Sequence, residues 1–75
     1  MNLDVEKIDE AALALLYLTV HEGYRAWKGL DWEISGRLHA KALIEDPVNK
    51  SKSVMFTDEG LKAAERACQT LFSSS

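Results

Sequence analysis

The run Ala11 to Leu18, AALALLYL, is apolar throughout except for Tyr17, and everything else in the chain has to be arranged around it. It is well short of the roughly 18 residues a membrane-spanning helix needs. A signal peptide carries positive charge ahead of its apolar core, whereas the residues here are Asp4, Glu6, Asp9 and Glu10 against a single Lys7. The run therefore belongs inside a protein core. Val5, Ile8, Ala12, Leu15, Leu16 and Thr19 recur at helical spacing around it, which predicts a helix from about Val5 to Val20. Asp4, Asp9 and Glu10 sit near its start, where negative charge suits the helix dipole. Leu13 and Leu18 widen the apolar face, so this helix is expected to be packed on more than one side.

A chain of 75 residues buries only about 60% of the surface its unfolded form exposes, and forms one domain. With 47% hydrophobic and 28% charged residues the composition is that of a folded domain over residues 1–75, with a frayed Ser73-Ser74-Ser75 tail. Cys68 has no second cysteine to pair with, which suits a reducing compartment, and the expected location is the cytoplasm, away from membranes.

Beyond the first helix, Gly23 and Gly29 bracket a segment with room for one or two helical turns carrying Tyr24 and Trp27. Asp31 is placed to cap a helix running to about Ala42, with Ile34, Leu38 and Ala42 on one face. Two short strands follow, Leu43 to Glu45 and Ser53 to Phe56, and Asp46-Pro47 opens the turn between them. Val54 and Phe56 should share one face of the hairpin and Met55 the other. Thr57 then caps a last helix whose apolar side is Leu61, Ala64, Cys68, Leu71 and Phe72. The fold class read from this pattern is mainly α with a small β-hairpin, in the order α-α-α-β-β-α. The expected core is Ile8, Leu15, Leu16, Ile34, Leu38, Ile44, Val54, Phe56, Leu61, Ala64 and Leu71.

That order, with RLHAKALIEDP at residues 37–47 leading into SVMFTDEGLKAAE at 53–65, resembles the winged helix-turn-helix of bacterial regulators of the MarR type. Those proteins have a leucine near the end of the recognition helix, a glycine-leucine-isoleucine or valine strand start, a wing, and T-x-E-G opening the next helix. Leu38, Leu43, Ile44, Thr57, Glu59 and Gly60 match this pattern, and Ala42 stands where the glycine is usual. The resemblance implies a winged-helix-like fold. KIDEAALALLYLT, RAWKGLDW and LIEDPVNKSKSV are similar to shared stretches of a small bacterial family of uncharacterised single-domain proteins, and the similarity covers nearly the whole chain.

Charge separates the functional readings. Residues 1–22 carry a net −4, residues 23–53 a net +2, and the remainder −1, so a mildly basic middle sits on an acidic molecule of net charge −3. Nucleic-acid binders usually show a stronger basic excess. The start of the helix that would enter a DNA groove is Leu30, Asp31, Trp32 and Glu33, whose two acids repel phosphate. Its outward side holds Gly36 and Ala40, four apart on one face. The preferred reading is a non-catalytic interaction module that binds an unknown protein or a second copy of itself. Its partner-binding residues would be Tyr24, Trp27, Trp32, Gly36 and Ala40, since tryptophan is enriched at binding hot spots. The alternative is a weak DNA-binding regulator whose phosphate contacts are Arg37, Lys41, Lys50 and Lys52.

No catalytic residue, metal site or cofactor is expected. His21-Glu22 opens like the zinc-protease pattern H-E-x-x-H, but Arg25 occupies the second histidine position. His39 reads as a surface histidine and Cys68 as a small hydrophobe on a helix. The four glycines never cluster into a phosphate-binding loop.

Overall fold

A computed structural model describes residues 2–23, 25–27, 31–46 and 53–74, with Trp27 described by its backbone alone. The order among them is helix α1 (Val5–Leu18), strand β1 (Arg25–Trp27), helix α2 (Trp32–Ala40), strand β2 (Ser53–Met55) and helix α3 (Asp58–Phe72). The fold is mainly helical with a small antiparallel sheet, but the sheet is not the expected hairpin: β1 pairs with β2, and Leu43–Glu45, expected as a strand, contributes only an isolated Ile44 to Phe56 bridge. Arg25–Trp27, expected as helical turns, is a strand.

The cause lies in the turn before it. Glu22 and Gly23 both take positive φ, at 53° and 83°, which reverses the chain within a few residues. His21 and Arg25 then exchange backbone hydrogen bonds, His21 N–H to the Arg25 carbonyl at 2.8 Å and Arg25 N–H to the His21 carbonyl at 3.0 Å. Leaving that turn the chain is extended. β1 pairs antiparallel with β2 in the register Arg25 to Met55, Ala26 to Val54 and Trp27 to Ser53. Ala26 and Val54 are both buried, so their cross-strand contact faces the core.

The expected pairing of Leu43–Glu45 with the segment after the loop is present at its base. Glu45 N–H donates to the Met55 carbonyl at 2.8 Å and Thr57 N–H to the Leu43 carbonyl at 3.1 Å, around an Ile44 to Phe56 bridge. The segment 53–57 is therefore flanked by β1 on one side and by residues 43–45 on the other. Val54 and Phe56 are buried and Met55 is half-buried, the predicted alternation. The loop tip, including Lys50 and Lys52, lies outside the described residues, as does Tyr24.

α2 and α3 are capped as the sequence indicates, and Asp4, read there only as dipole charge, caps α1. Asp4 accepts from Lys7 N–H, Asp31 from Glu33 N–H, and Thr57 from Gly60 N–H. α2 ends in a Schellman motif: Ala42 N–H donates to the His39 carbonyl at 2.9 Å and Leu43 N–H to the Leu38 carbonyl at 3.0 Å. Ala42 sits at φ 60°, a left-handed conformation that glycine adopts more readily than alanine. The Thr57 hydroxyl donates to the Ala42 carbonyl at 2.7 Å, pinning this turn to the start of α3. Gly60 completes the junction, because a side chain there would collide with the backbone carbonyl of Leu43.

α1 packs chiefly on α3, with α2 and β1 completing the enclosure. Leu16, Leu38, Ile44, Val54, Phe56 and Ala64 are buried as expected, and Ile8, Ile34 and Leu61 are half-buried. Two expected core residues are not inside. Leu15 is 51% exposed and Leu71 is 45% exposed. The buried stripe of α1 is Asp9, Ala12, Leu13 and Leu16, with Ala14 beside it, so it is turned by one residue from the stripe through Ile8 and Leu15. Leu71 lies in the last turn of α3, past Gly60, Ala64 and Ala67, where the buried part of the helix ends. Buried alanines at positions 12, 14, 26, 64 and 67 do much of the packing and let the elements approach closely.

Two substitutions at this junction should move stability in opposite directions. Ala42→Gly relieves the left-handed alanine and should raise stability by about 1 kcal/mol in urea melts. Gly60→Ala should lower it by about 3 kcal/mol, because the methyl meets backbone that cannot rotate away.

Candidate functional site around helix 2

α2 is the helix that both functional readings rely on, and its two sides have different chemistry. The inward side carries a charge cluster. Asp9 of α1 is only 2% exposed. Arg37 grips it with Nε at 3.0 and 3.1 Å from the two carboxylate oxygens and with Nη2 at 2.9 Å from Oδ1. Lys41 Nζ lies 2.8 Å from Asp9 Oδ2 and 2.9 Å from Glu6 Oε2. Arg37 and Lys41 are one helical turn apart, and Glu6 and Asp9 are three apart, so each pair points from one helix toward the other. The fork geometry of arginine suits a carboxylate held by both oxygens.

Burial pushes the Asp9 carboxyl upward, but hydrogen bonds from Arg37 and Lys41, with their charges, outweigh that and hold it below the ordinary carboxylate range. In return, the hydrogen bond to Asp9 raises both Arg37 and Lys41. Asp9 is thus ionised and fully engaged. It is a structural clamp between α1 and α2, not the helix-dipole residue the sequence suggests. Nothing in the sequence near Asp9 marks it as buried, since its partners lie about thirty residues further on.

The same geometry changes the standing of the proposed phosphate contacts. Arg37 and Lys41, expected on a free flank, both bond to Asp9, and about a third of each side chain remains exposed. Lys50 and Lys52 lie outside the described residues, so no basic surface joining the four can be drawn.

The outward side of α2 is where Trp32, Gly36 and Ala40 lie. All three are exposed, and Trp32 is 60% exposed, unusual for so large an apolar side chain. A Cβ at Gly36 would meet nothing within 4 Å, so the fold does not require glycine there. Of the five residues predicted to form a partner face, these three come together. Tyr24 and the Trp27 side chain lie outside what is described. His39 is exposed at the end of the same helix, and its Nδ1–H donates to the Ile44 carbonyl at 3.1 Å, tying α2 to the base of the hairpin.

A groove of about 570 Å³ between α1 and α3 escapes the sequence reading. Leu13, Leu43, Ala63 and Ala67 line it, and Glu6, Asp9 and Lys41 at its edge are the residues already paired to one another. The apolar side of α3 was read through Leu61, Ala64 and Cys68, so Ala63 and Ala67, which line the gap, were missed. Among the described residues, no group of three His, Cys, Asp or Glu side chains is placed to hold a metal ion, and no helix is long and apolar enough to cross a membrane.

The clamp sets the acid sensitivity of the fold. Because the folded carboxyl of Asp9 is depressed, its contribution is present above the ordinary carboxylate range and is lost as pH falls through the folded value. Asp9→Asn should cost about 2 kcal/mol near neutral pH, less than for a fully buried pair because both cations keep part of their hydration. Urea melts across pH should show that difference shrinking as the solution becomes acidic enough to protonate Asp9 in the wild type.

Comparison with known proteins adds a family to this geometry. The family model described as "Domain of unknown function (DUF6429)" matches residues 4–74. The chain is 56% identical over 72 residues to "Uncharacterized protein y4hR" of Sinorhizobium fredii, covering 96% of this chain and 97% of that protein. No solved structure matches. The match takes in every described element, from the cap of α1 to the end of α3, and the chain belongs to the DUF6429 family.

Proposed function

We propose that the protein is a non-catalytic interaction module on a reduced winged-helix-like frame, and that it binds a protein surface through the outward face of α2. The observation that carries this reading is Trp32. A tryptophan that is 60% exposed on a helix face otherwise made of Gly36 and Ala40 leaves apolar surface uncovered in a domain with little to spare. Large aromatic anchors beside small residues are the pattern of binding hot spots.

The winged-helix part of the reading rests on the segment from α2 onward. α2 leads into the antiparallel pairing of residues 43–45 with 55–57, and Thr57 and Gly60 open α3. β1 on the other side of the central strand fits the same plan. A DNA-binding use of this frame is disfavoured by its charges. Arg37 and Lys41 would have to leave carboxylates at 2.8–3.1 Å to reach a phosphate, while Asp31 and Glu33 stand at the start of the helix.

Site-specific photo-crosslinking in the cells that make the protein tests the reading. A photoreactive residue in place of Trp32 should give discrete protein adducts, and one in place of Lys62, an exposed position on α3, should not. Equal labelling at both positions, or none at position 32, would contradict a binding surface on α2.

A further inference from the structure

We propose that the groove between α1 and α3 binds a free apolar α-amino acid, with the side chain on the groove floor and the two charges of the zwitterion on its rim. Size is the first reason. The groove is lined from Glu6 to Leu13 on α1 and from Ala63 to Thr70 on α3, about 10 Å along each helix. That is too short to seat a helix or strand of a partner protein, while a volume of about 570 Å³ lies within the range of small-molecule sites. Leu13, Leu43, Ala63 and Ala67 make the floor, and the two alanines leave depth for an aliphatic or aromatic side chain.

Charge selects the ligand. Six charged residues line the groove, and three of them are already matched: Glu6, Asp9 and Lys41 belong, with Arg37, to a cluster of two acids and two bases. Lys7, Glu10 and Arg66 are left. Among the described residues none of these three side chains forms an ion pair, and Glu10 is half-buried, where a carboxylate gains from a matching cation. Lys7 and Glu10 are three apart on α1 and so are neighbours on one rim, whereas Arg66 lines the groove from α3.

A simple carboxylate would use the two cations but meet Glu10. A simple amine would use Glu10 but meet Lys7 and Arg66. A molecule with both charges on one carbon satisfies all three. Its carboxylate accepts from Arg66, whose fork suits two oxygens, and from Lys7, while its ammonium donates to Glu10. The side chain on the same carbon is then left for the apolar floor. Because the groove is open and both cations are exposed, the affinity should be modest, with a dissociation constant of about 1 mM.

Backbone amide NMR spectra of the purified chain test this by titration with three probes. They are L-leucine, N-acetyl-L-leucine, which keeps only the carboxylate, and L-leucinamide, which keeps only the ammonium. L-leucine should move the Glu10, Leu13, Ala63 and Ala67 resonances saturably, and each blocked analogue should bind at least about fivefold more weakly. Glycine, with no side chain to bury, should give no saturable shift. Ala63→Leu, at a half-buried position, should abolish the leucine response by filling the floor. Glu10→Gln should remove the preference for leucine over N-acetyl-L-leucine, and Arg66→Gln, at an exposed position, the preference over L-leucinamide, in variants whose dispersed spectra show them folded. The proposal is overturned by the absence of a saturable shift up to about 50 mM leucine, by equal binding of leucine and either analogue, or by shifts confined to residues outside the groove. Folded variants at Glu10 and Arg66 that keep the wild-type preferences overturn it as well.

Discussion

Asp9 is the constraint on which the arrangement of this small domain depends. A carboxylate with almost no solvent contact is costly unless its charge is matched, and here two cations from α2 match it through both oxygens. The pairing fixes the rotation of α2 about its axis. With Arg37 and Lys41 turned toward α1, the residues on the other side of the helix are those left facing water, and those are Trp32, Gly36 and Ala40. One ion cluster thus determines which face of α2 is left in solvent and turns two basic residues away from that face. The link runs from electrostatics to packing and from packing to function.

The second organising feature is the junction where α2 ends and α3 begins. Ala42 takes a left-handed turn, its carbonyl accepts from the Thr57 hydroxyl, and Gly60 admits the Leu43 carbonyl. These contacts give Ala42, Thr57 and Gly60 their structural roles. Threonine caps and staples, and glycine makes room. The T-x-E-G motif is therefore architectural and carries no information about a ligand.

Much of this was legible in the sequence because it rests on local chemistry. Caps at Asp31 and Thr57 need only a side-chain oxygen and the backbone that follows, so they were read correctly within the chain itself, whereas Asp4, read only as dipole charge, also caps α1. The alternation of Val54 and Phe56 was equally local. What escaped depended on partners distant in sequence. Asp9 reads as a surface acid until Arg37 and Lys41 are brought to it, and the apolar stripe read through Ile8 and Leu15 lies one residue from the buried one. Arg25–Trp27 reads as helix between two glycines until Glu22 and Gly23 reverse the chain and β2 supplies hydrogen bonds. Of the candidate binding residues, Gly36 and Ala40 were chosen by spacing and Trp32 by residue type, and all three are exposed on α2.

Arg37 and Lys41 are committed inward, to Asp9 and Glu6 of α1. Titration of the purified protein with mixed-sequence duplex DNA, followed by tryptophan fluorescence at low and near-physiological salt, tests this most directly, since Trp32 stands on the face that would enter the groove. The prediction is no change in emission at either salt. Binding that tightens strongly as salt is lowered would contradict it, because only phosphate contacts by free cations give that dependence.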